Sequence, residues 1–244
     1  MAITHSLDLE ASSSQHVEIA DASQTGLDLA GDWTIEFWIK PESQPAGGNQ
    51  MGLVAKSNSG DNNRSYVVSL LEDTTQKILA SISDDGTNQD QVRFSNDVGT
   101  GTWVHIAITC DVSNAVATEF ELFVNTVSAG NGSVALDDTA GAVFNGTADF
   151  NIGALNNTAG SFYDGLICDV RVWSDIRTQA EIAANWKTST PAGDNLQFHG
   201  YVVNNHNDLT ANNNDLTASN SPVFSTDVPY VETTATQDGY SFLM

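Results

Sequence analysis

Basic residues are scarce in this sequence. Lys and Arg together number 8 against 31 Asp and Glu, a net charge of −23 over 244 residues. That balance argues against nucleic-acid binding, which depends on Lys and Arg displacing counterions from phosphate. It argues equally against attraction to anionic membranes. Cysteine is nearly absent. Cys110 and Cys168 both fall inside strand-like segments, and their count leaves open either one disulfide or two buried free thiols. There is no Cys-x-x-Cys and no His-x-x-x-His, so the zinc spacings are missing. No Gly-x-Ser-x-Gly elbow occurs. Long apolar runs are missing too. The N-terminus, MAITHSLDLEASSSQHVEI, has neither a basic region nor an apolar core, and is read as carrying no signal peptide and no membrane span.

What is present is alternation. Hydrophobic residues make up 40% of the chain, enough for a globular core. Trp33, Ile35, Phe37 and Ile39 alternate with Thr34, Glu36, Trp38 and Lys40, the period of a strand. The stretches 103–110, 119–125 and 166–173 repeat the pattern. Further strands are expected at 6–10, 16–19, 52–56, 65–71, 77–83, 91–95, 148–153 and 196–203. Turn clusters rich in Gly, Asn and Asp separate them. The repeat NDLTA, at 207–211 and 214–218, reads as two small strands. A dozen strands with almost no helix predict an all-β, antiparallel two-sheet jelly-roll sandwich. Its inner face should include Ile35, Phe37, Ile106, Ile108, Leu122 and Val124. The one helix expected follows Thr178. Thr178 and Glu181 form a capping box, and Ile182 and Trp186 share a face at i, i+4. That helix is expected to plug an open end or edge of the sandwich.

The motifs WTIEFWIKP (33–41), WVHIAITCD (103–111), LFVNT (122–126) and DGLICDVRVWSDIRTQAEI (164–182) occur in an order that resembles the concanavalin A-like lectin/glucanase superfamily. The likeness is to its laminin-G-like and pentraxin-like branch. The resemblance implies one jelly-roll domain, taken as residues 1–232, and the stretch 233–244, polar and then apolar, reads as a C-terminal tail. It also implies candidate sites. Pentraxin-like relatives place an Asp-Asn pair after an early strand, which maps to Asp61 and Asn62 as metal ligands. One calcium ion is the cofactor this allows. The matching second half of that site, Ala154-Leu155-Asn156-Asn157, carries no carboxylate. Loop residues Asn62, Asn63, Asn156, Asn157 and Tyr163 are the carbohydrate-contact candidates.

Glycoside hydrolysis needs two carboxylates at a set separation. The nearest pattern is Glu119-Phe-Glu121, and alternation places both on a solvated outer face. His105 lies mid-strand and reads as structural. The expected protein is a non-enzyme. Its leading role is a virion surface component, a capsid decoration or tail-associated adhesion subunit. That role would use Tyr240, Phe242 and Leu243 to contact other structural subunits or a second copy of the chain. The alternative is a secreted, calcium-dependent module that binds glycans. Neither reading involves nucleic acid or membrane insertion.

Overall fold

The computed structural model describes residues 2–46, 49–72, 77–138, 141–156 and 161–231. In chain order the strands begin with β1 (Ser6–Leu9), β2 (His16–Ile19), β3 (Trp33–Pro41), β4 (Gln50–Asn58), β5 (Asn63–Leu71) and β6 (Ile78–Ile82). They continue with β7 (Asp90–Phe94), β8 (Val104–Cys110), β9 (Phe120–Val124), β10 (Val127–Gly130) and β11 (Ser133–Leu136). The last are β12 (Phe150–Ile152), β13 (Gly165–Trp173), β14 (Leu196–Gly200), β15 (Thr217–Ser219) and β16 (Val223–Ser225). Among the described residues, besides three single 3-10 turns, two α-helices interrupt them, α1 (Val116–Glu119) and α2 (Gln179–Asn185). Neither is long and apolar enough to cross a membrane.

Two eight-stranded sheets result. Sheet A runs β10-β9-β8-β3-β13-β1-β16, with β14 also on β13, and sheet B runs β11-β7-β6-β5-β4-β12-β2-β15. Each described pairing is antiparallel, for example Phe37 opposite Ile106 and Val68 opposite Ala80. Alternation turns one face of each sheet inward. Ile35, Phe37, Ile106, Ile108 and Leu122 meet Val54, Tyr66, Val68, Ala80 and Phe150 in a single core, with Val124 at its margin. The all-β sandwich expected from the sequence is the observed architecture.

A bulge in β13 explains the Asp-x-Arg signature. Cys168 pairs with Trp38 and Arg171 with Glu36, so Asp169 and Val170 together oppose Phe37. Asp169 accommodates this at φ 52, a left-handed conformation that Asp tolerates better than most residues. The extra residue restores Val170 and Val172 to the core. It also sends Asp169 outward beside Arg171, whose Nε and Nη2 donate to its carboxylate at 2.9 and 2.6 Å. Cys168 and Cys110 are both buried and free.

Helix α2 has the capping box the sequence promised: the Thr178 hydroxyl accepts from the Glu181 amide, and Glu181 reaches back to the Thr178 amide. Its position differs from expectation. It covers the outer face of sheet A and not an open end of the sandwich. Ile182 packs on Ala107 and Phe123, and Trp186 stacks on Trp38 at 5.4 Å. The reason is composition. Trp38, Ala107 and Phe123 make this outer face apolar, and it must be covered. The segment after β16 completes the cover, as Asp227 accepts from Trp103 and Lys40, and Tyr230 donates to Asp169.

Three other expectations change. The first NDLTA copy is a loop, because Asp208 accepts backbone bonds from His199, Thr210 and Asn214; only the end of the second copy enters a strand, β15. Strands β10 and β11 were not expected, since their exposed Ser, Ala and Gly residues carry no alternation. Glu119 ends α1 and lies buried at 2% exposure, whereas Glu121 is only partly covered. The two therefore do not share a solvated strand face.

Neither Glu119 carboxylate oxygen has a hydrogen-bond partner among the described residues. Burial first, then repulsion from Asp90, Asp111 and Asp137, pushes its carboxyl up to about 8. A folded-state value above the unfolded one costs stability as pH rises from about 4.5 through 8. Glu119→Gln removes that ionisation. The variant is expected to gain roughly 1–3 kcal/mol over the parent at pH 8.5 and little at pH 4.5. Urea melts at the two pH values check this.

Candidate functional site

The outer face of sheet B carries an open groove. Its floor is built across strands that are distant in sequence. Asn151, Ala55, Val67, Ser81 and Gln91 form one cross-strand row. Gly52, Ser69, Leu79 and Arg93 form the next. These side chains are small, polar or aliphatic, where a solvated strand face would ordinarily alternate Lys and Glu. That composition is the sequence signal that could have located the groove.

A loop supplies the wall. Residues 153–156 cross over β4 at Gly52, where a Cβ would sit 2.3 Å from the carbonyl carbon of Ala154. Only glycine permits that approach. Gly52 also donates to Ser161 on the returning limb. The crossing brings Leu155, Asn156 and Ser161 alongside the floor, and Leu155 packs on the patch formed by Ala55, Val67 and Leu79.

The groove has three adjoining sections. The central one, about 320 Å³, is lined by Gln50, Ser57, Ser59, Arg64, Val67, Leu79, Ser81, Gln89, Gln91, Leu155, Asn156 and Ser161. One end, about 220 Å³, shares Ser57 and Asn156 with it and adds Asn58, Asp61, Asn63, Thr147, Asp149 and Asn151. The other, about 270 Å³, shares Gln50, Leu79, Gln91 and Ser161 and adds Asn49, Leu71 and Arg93. Amides and hydroxyls dominate throughout. Each can both donate and accept, or rotate to do either. A floor of Val67 and Leu79 between them offers apolar contact.

The sequence-derived candidates distribute unevenly over this geometry. Asp61, Asn63 and Asn156 line the groove together. Asn62 is exposed and closes a short turn at φ 51. Asn157 lies outside the described residues, as do Tyr240, Phe242 and Leu243. Tyr163 is corrected: it is fully buried in the main core, and its hydroxyl donates to the Leu166 carbonyl. A side chain there supports the sandwich and reaches no ligand.

For a metal, Asp61 offers one carboxylate, which already accepts from Asn58 at 2.7 Å. Asp149 lines the same end. Elsewhere, Asp8, Glu10 and Glu42 hold three carboxylates within 4.8 Å of one another on the surface. Burial, with mutual repulsion including that from Asp164, raises Asp8 and Glu42.

A different cation is buried behind the groove's end, on the inward side of β4 opposite Tyr66 and Phe150. Lys56 is fully buried. Its ammonium lies 2.5 Å from Asp21 Oδ1 and 3.2 Å from Asp28 Oδ1. It also donates to the carbonyls of Gly146 and Ala148 at 2.9 and 2.7 Å. Lys56 thereby ties the 20–29 loop and the 145–149 segment to sheet B, and fixes Thr147 and Asp149 at the groove's edge.

Against known proteins, the chain resembles several solved structures at low identity. A Bacteroides ovatus protein provisionally assigned as carbohydrate-binding superposes with a TM-score of 0.63 at 14% identity, over 92% of this chain and 60% of that one. This chain thus spans less than two thirds of that relative's length. The heptameric SAP-like pentraxin of Limulus polyphemus superposes at 0.52 and 13% identity, over 86% of this chain and 88% of that one. The CBM40 of the Ruminococcus gnavus IT-sialidase, solved with α2,3-sialyllactose, superposes at 0.50 and 16% identity, over 70% of this chain and 96% of that one. No curated protein sequence matches the chain. The likenesses agree with the sandwich of two curved layers. The family model for Laminin_G_3 matches residues 11–183, a span running from the turn after β1 into α2, and so the chain belongs to the concanavalin A-like lectin/glucanase superfamily.

Proposed function

We propose that this protein is a non-catalytic, lectin-like module that binds a glycan chain along the outer face of sheet B. The observation that carries the reading is the continuous groove, with its amide- and hydroxyl-bearing walls over an aliphatic floor. Concave sites with a few convergent polar groups are the usual form of a small-molecule or oligosaccharide site. The three sections in line suit several sugar units in place of one. A hydrolase would need an acid and a second carboxylate flanking the bond. The described lining of the central and Arg93 sections contains neither Asp nor Glu, which supports binding without turnover. One calcium ion would bind at the Asp61 end, where Asp61 and Asp149 meet Asn63, Asn151 and Asn156.

A glycan array read with and without calcium tests this. Binding to a defined oligosaccharide is the expected result, and the double variant Gln91→Ala/Asn156→Ala should weaken it. Each lost hydrogen bond is worth about 1 kcal/mol, so the pair should cost roughly ten- to thirtyfold in affinity. Unchanged affinity in a folded double variant sinks the groove assignment. Attachment to a virion surface is the finer second reading. It has the acidic charge of −23 behind it, which suits a soluble, mutually repelling particle surface. Its test is whether the protein co-purifies with particles.

A further inference from the structure

In its central and Arg93 sections the groove's charges run against those of the chain. Acidic residues outnumber basic ones 31 to 8. Four of the eight cations, Lys40, Lys56, Arg171 and Arg177, sit within ion-pair distance of a carboxylate. Arg64 and Arg93 do not, among the described residues, and both line the groove. Arg64 spends one donor on the Thr87 carbonyl at 2.8 Å. Arg93 is held by Gln91 Oε1 at 3.4 and 3.2 Å. A guanidinium has five donors, so each keeps capacity for a ligand.

The backbone has been shaped to bring Arg64 there. Lys56 pairs with Tyr66, but the next residue, Ser57, pairs with Arg64, so β5 bulges at Ser65. Without that bulge Arg64 would share the inward face with Tyr66. With it, Arg64 shares the outer face with Val67. Arg93 reaches the same face by plain alternation, opposite Leu79.

We infer that the groove's ligand is a polyanionic glycan, one bearing carboxylate or sulfate groups on repeated sugar units, and that Arg64 and Arg93 are its two charge-reading residues. The inference rests on the glycan-binding reading above. Arginine presents a planar fork that matches either anion in a bidentate manner. Arg93 shares a cross-strand row with Ser69 on β5, and because the bulge takes up one residue Arg64 lies four steps along the strand from that row and two strands across. At about 3.4 Å per residue and about 4.8 Å per strand, their backbones are about 17 Å apart. Backbone positions this far apart suit a chain with repeated charges better than a single terminal acidic sugar. The net charge of the protein does not forbid this. At physiological salt its field is screened beyond about 8 Å, leaving the local arginines to decide.

Calorimetric titration at 0.15 M salt compares three oligosaccharides of equal length: oligogalacturonate, a heparin fragment and a neutral β-glucan. Arg64→Gln and Arg93→Gln are measured beside the parent, with melts to confirm folding. The expected result is at least tenfold tighter binding of one anionic chain than of the neutral one. Each substitution should then reduce that affinity about tenfold, and the better of the carboxylated and sulfated ligands names the anion. Equal or tighter binding of the neutral chain, or anionic binding indifferent to both substitutions, overturns this inference and leaves the glycan groove standing. Binding of no glycan by the folded parent overturns both.

Discussion

Arg171→Met is expected to lower the stability of the fold by about 3–5 kcal/mol, the cost of leaving buried charges without their partner. Arg171 is fully buried, and all five of its donors are used. Two go to Asp169 at 2.9 and 2.6 Å, one to Glu36 at 3.4 Å, and two to the carbonyls of Asn185 and Thr188 at 3.0 and 2.5 Å. It therefore joins β3, β13 and the chain leaving α2. Its carboxylate partners carry further bonds, from His199 and Tyr230 to Asp169 and from Trp173 to Glu36. Burial alone would push both carboxyls up. The Arg171 charge together with the bonds and charge of His199 at Asp169 and of His105 at Glu36 outweighs it, and both lie below the usual carboxylate range. The sign follows. A depressed folded-state value gives stability that is present above the unfolded value and lost as pH falls through the folded one. Removing Arg171 cancels that gain, so the deficit should be largest near neutral pH and shrink toward pH 3, where protonated carboxyls no longer need a cation. Arg171→Lys should recover only part, because an ammonium cannot span two carboxylates and two carbonyls at once. Denaturant melts across pH 3–7 read both effects. A deficit that is constant with pH would mean the loss is packing and not charge.

Much of this molecule was legible because period-two alternation survives wherever one face of a strand is apolar. Phe37, Ile106 and Leu122 announced their own inward faces, and the Thr178–Glu181 box announced α2. The bulges at Asp169 and Ser65 were invisible for a physical reason. A bulge changes which face a residue takes without changing residue type, and Arg64 or Asp169 reads the same on either face. The groove was hidden in another way. Its floor comes from residues 55, 67, 81 and 91, which only strand pairing brings together. Local reading found its loop contributors, Asp61, Asn63 and Asn156, and none of its floor. Tyr163 misled because it follows a Gly- and Ser-rich turn, where an aromatic looks exposed; it turns inward immediately after the bridge between Ala154 and Phe162. Glu119 misled because α1 intervenes before β9 and shifts the alternation by its own geometry.

Lys56→Met is expected to cost about 2–4 kcal/mol, somewhat less than a fully enclosed pair, and to damage the groove as well as the fold. The ammonium is wholly buried, but the partner carboxylates are not: the side chains of Asp21 and Asp28 remain 25% and 33% exposed. Water can therefore recover part of their solvation when the cation goes. The carbonyls of Gly146 and Ala148 would lose their charged donor, and buried carbonyls without a partner are costly. Relaxation should take the easiest path, with 145–149 lifting from the sheet. That segment carries Thr147 and Asp149 at the groove's end, and Asn63 anchors there through two bonds with Thr147. Two readouts should then move together. Melts report the lost stability, and titration with the oligosaccharide the parent binds reports weaker affinity at temperatures where the variant is still folded. A contrasting variant separates the causes. Arg177→Met removes an ion pair with Asp175 and Glu181 beside α2, on the other sheet, and should lower stability while leaving glycan affinity unchanged. If Lys56→Met melts early yet binds as the parent does, the 145–149 segment is held by its other contacts, and Lys56 serves the core alone.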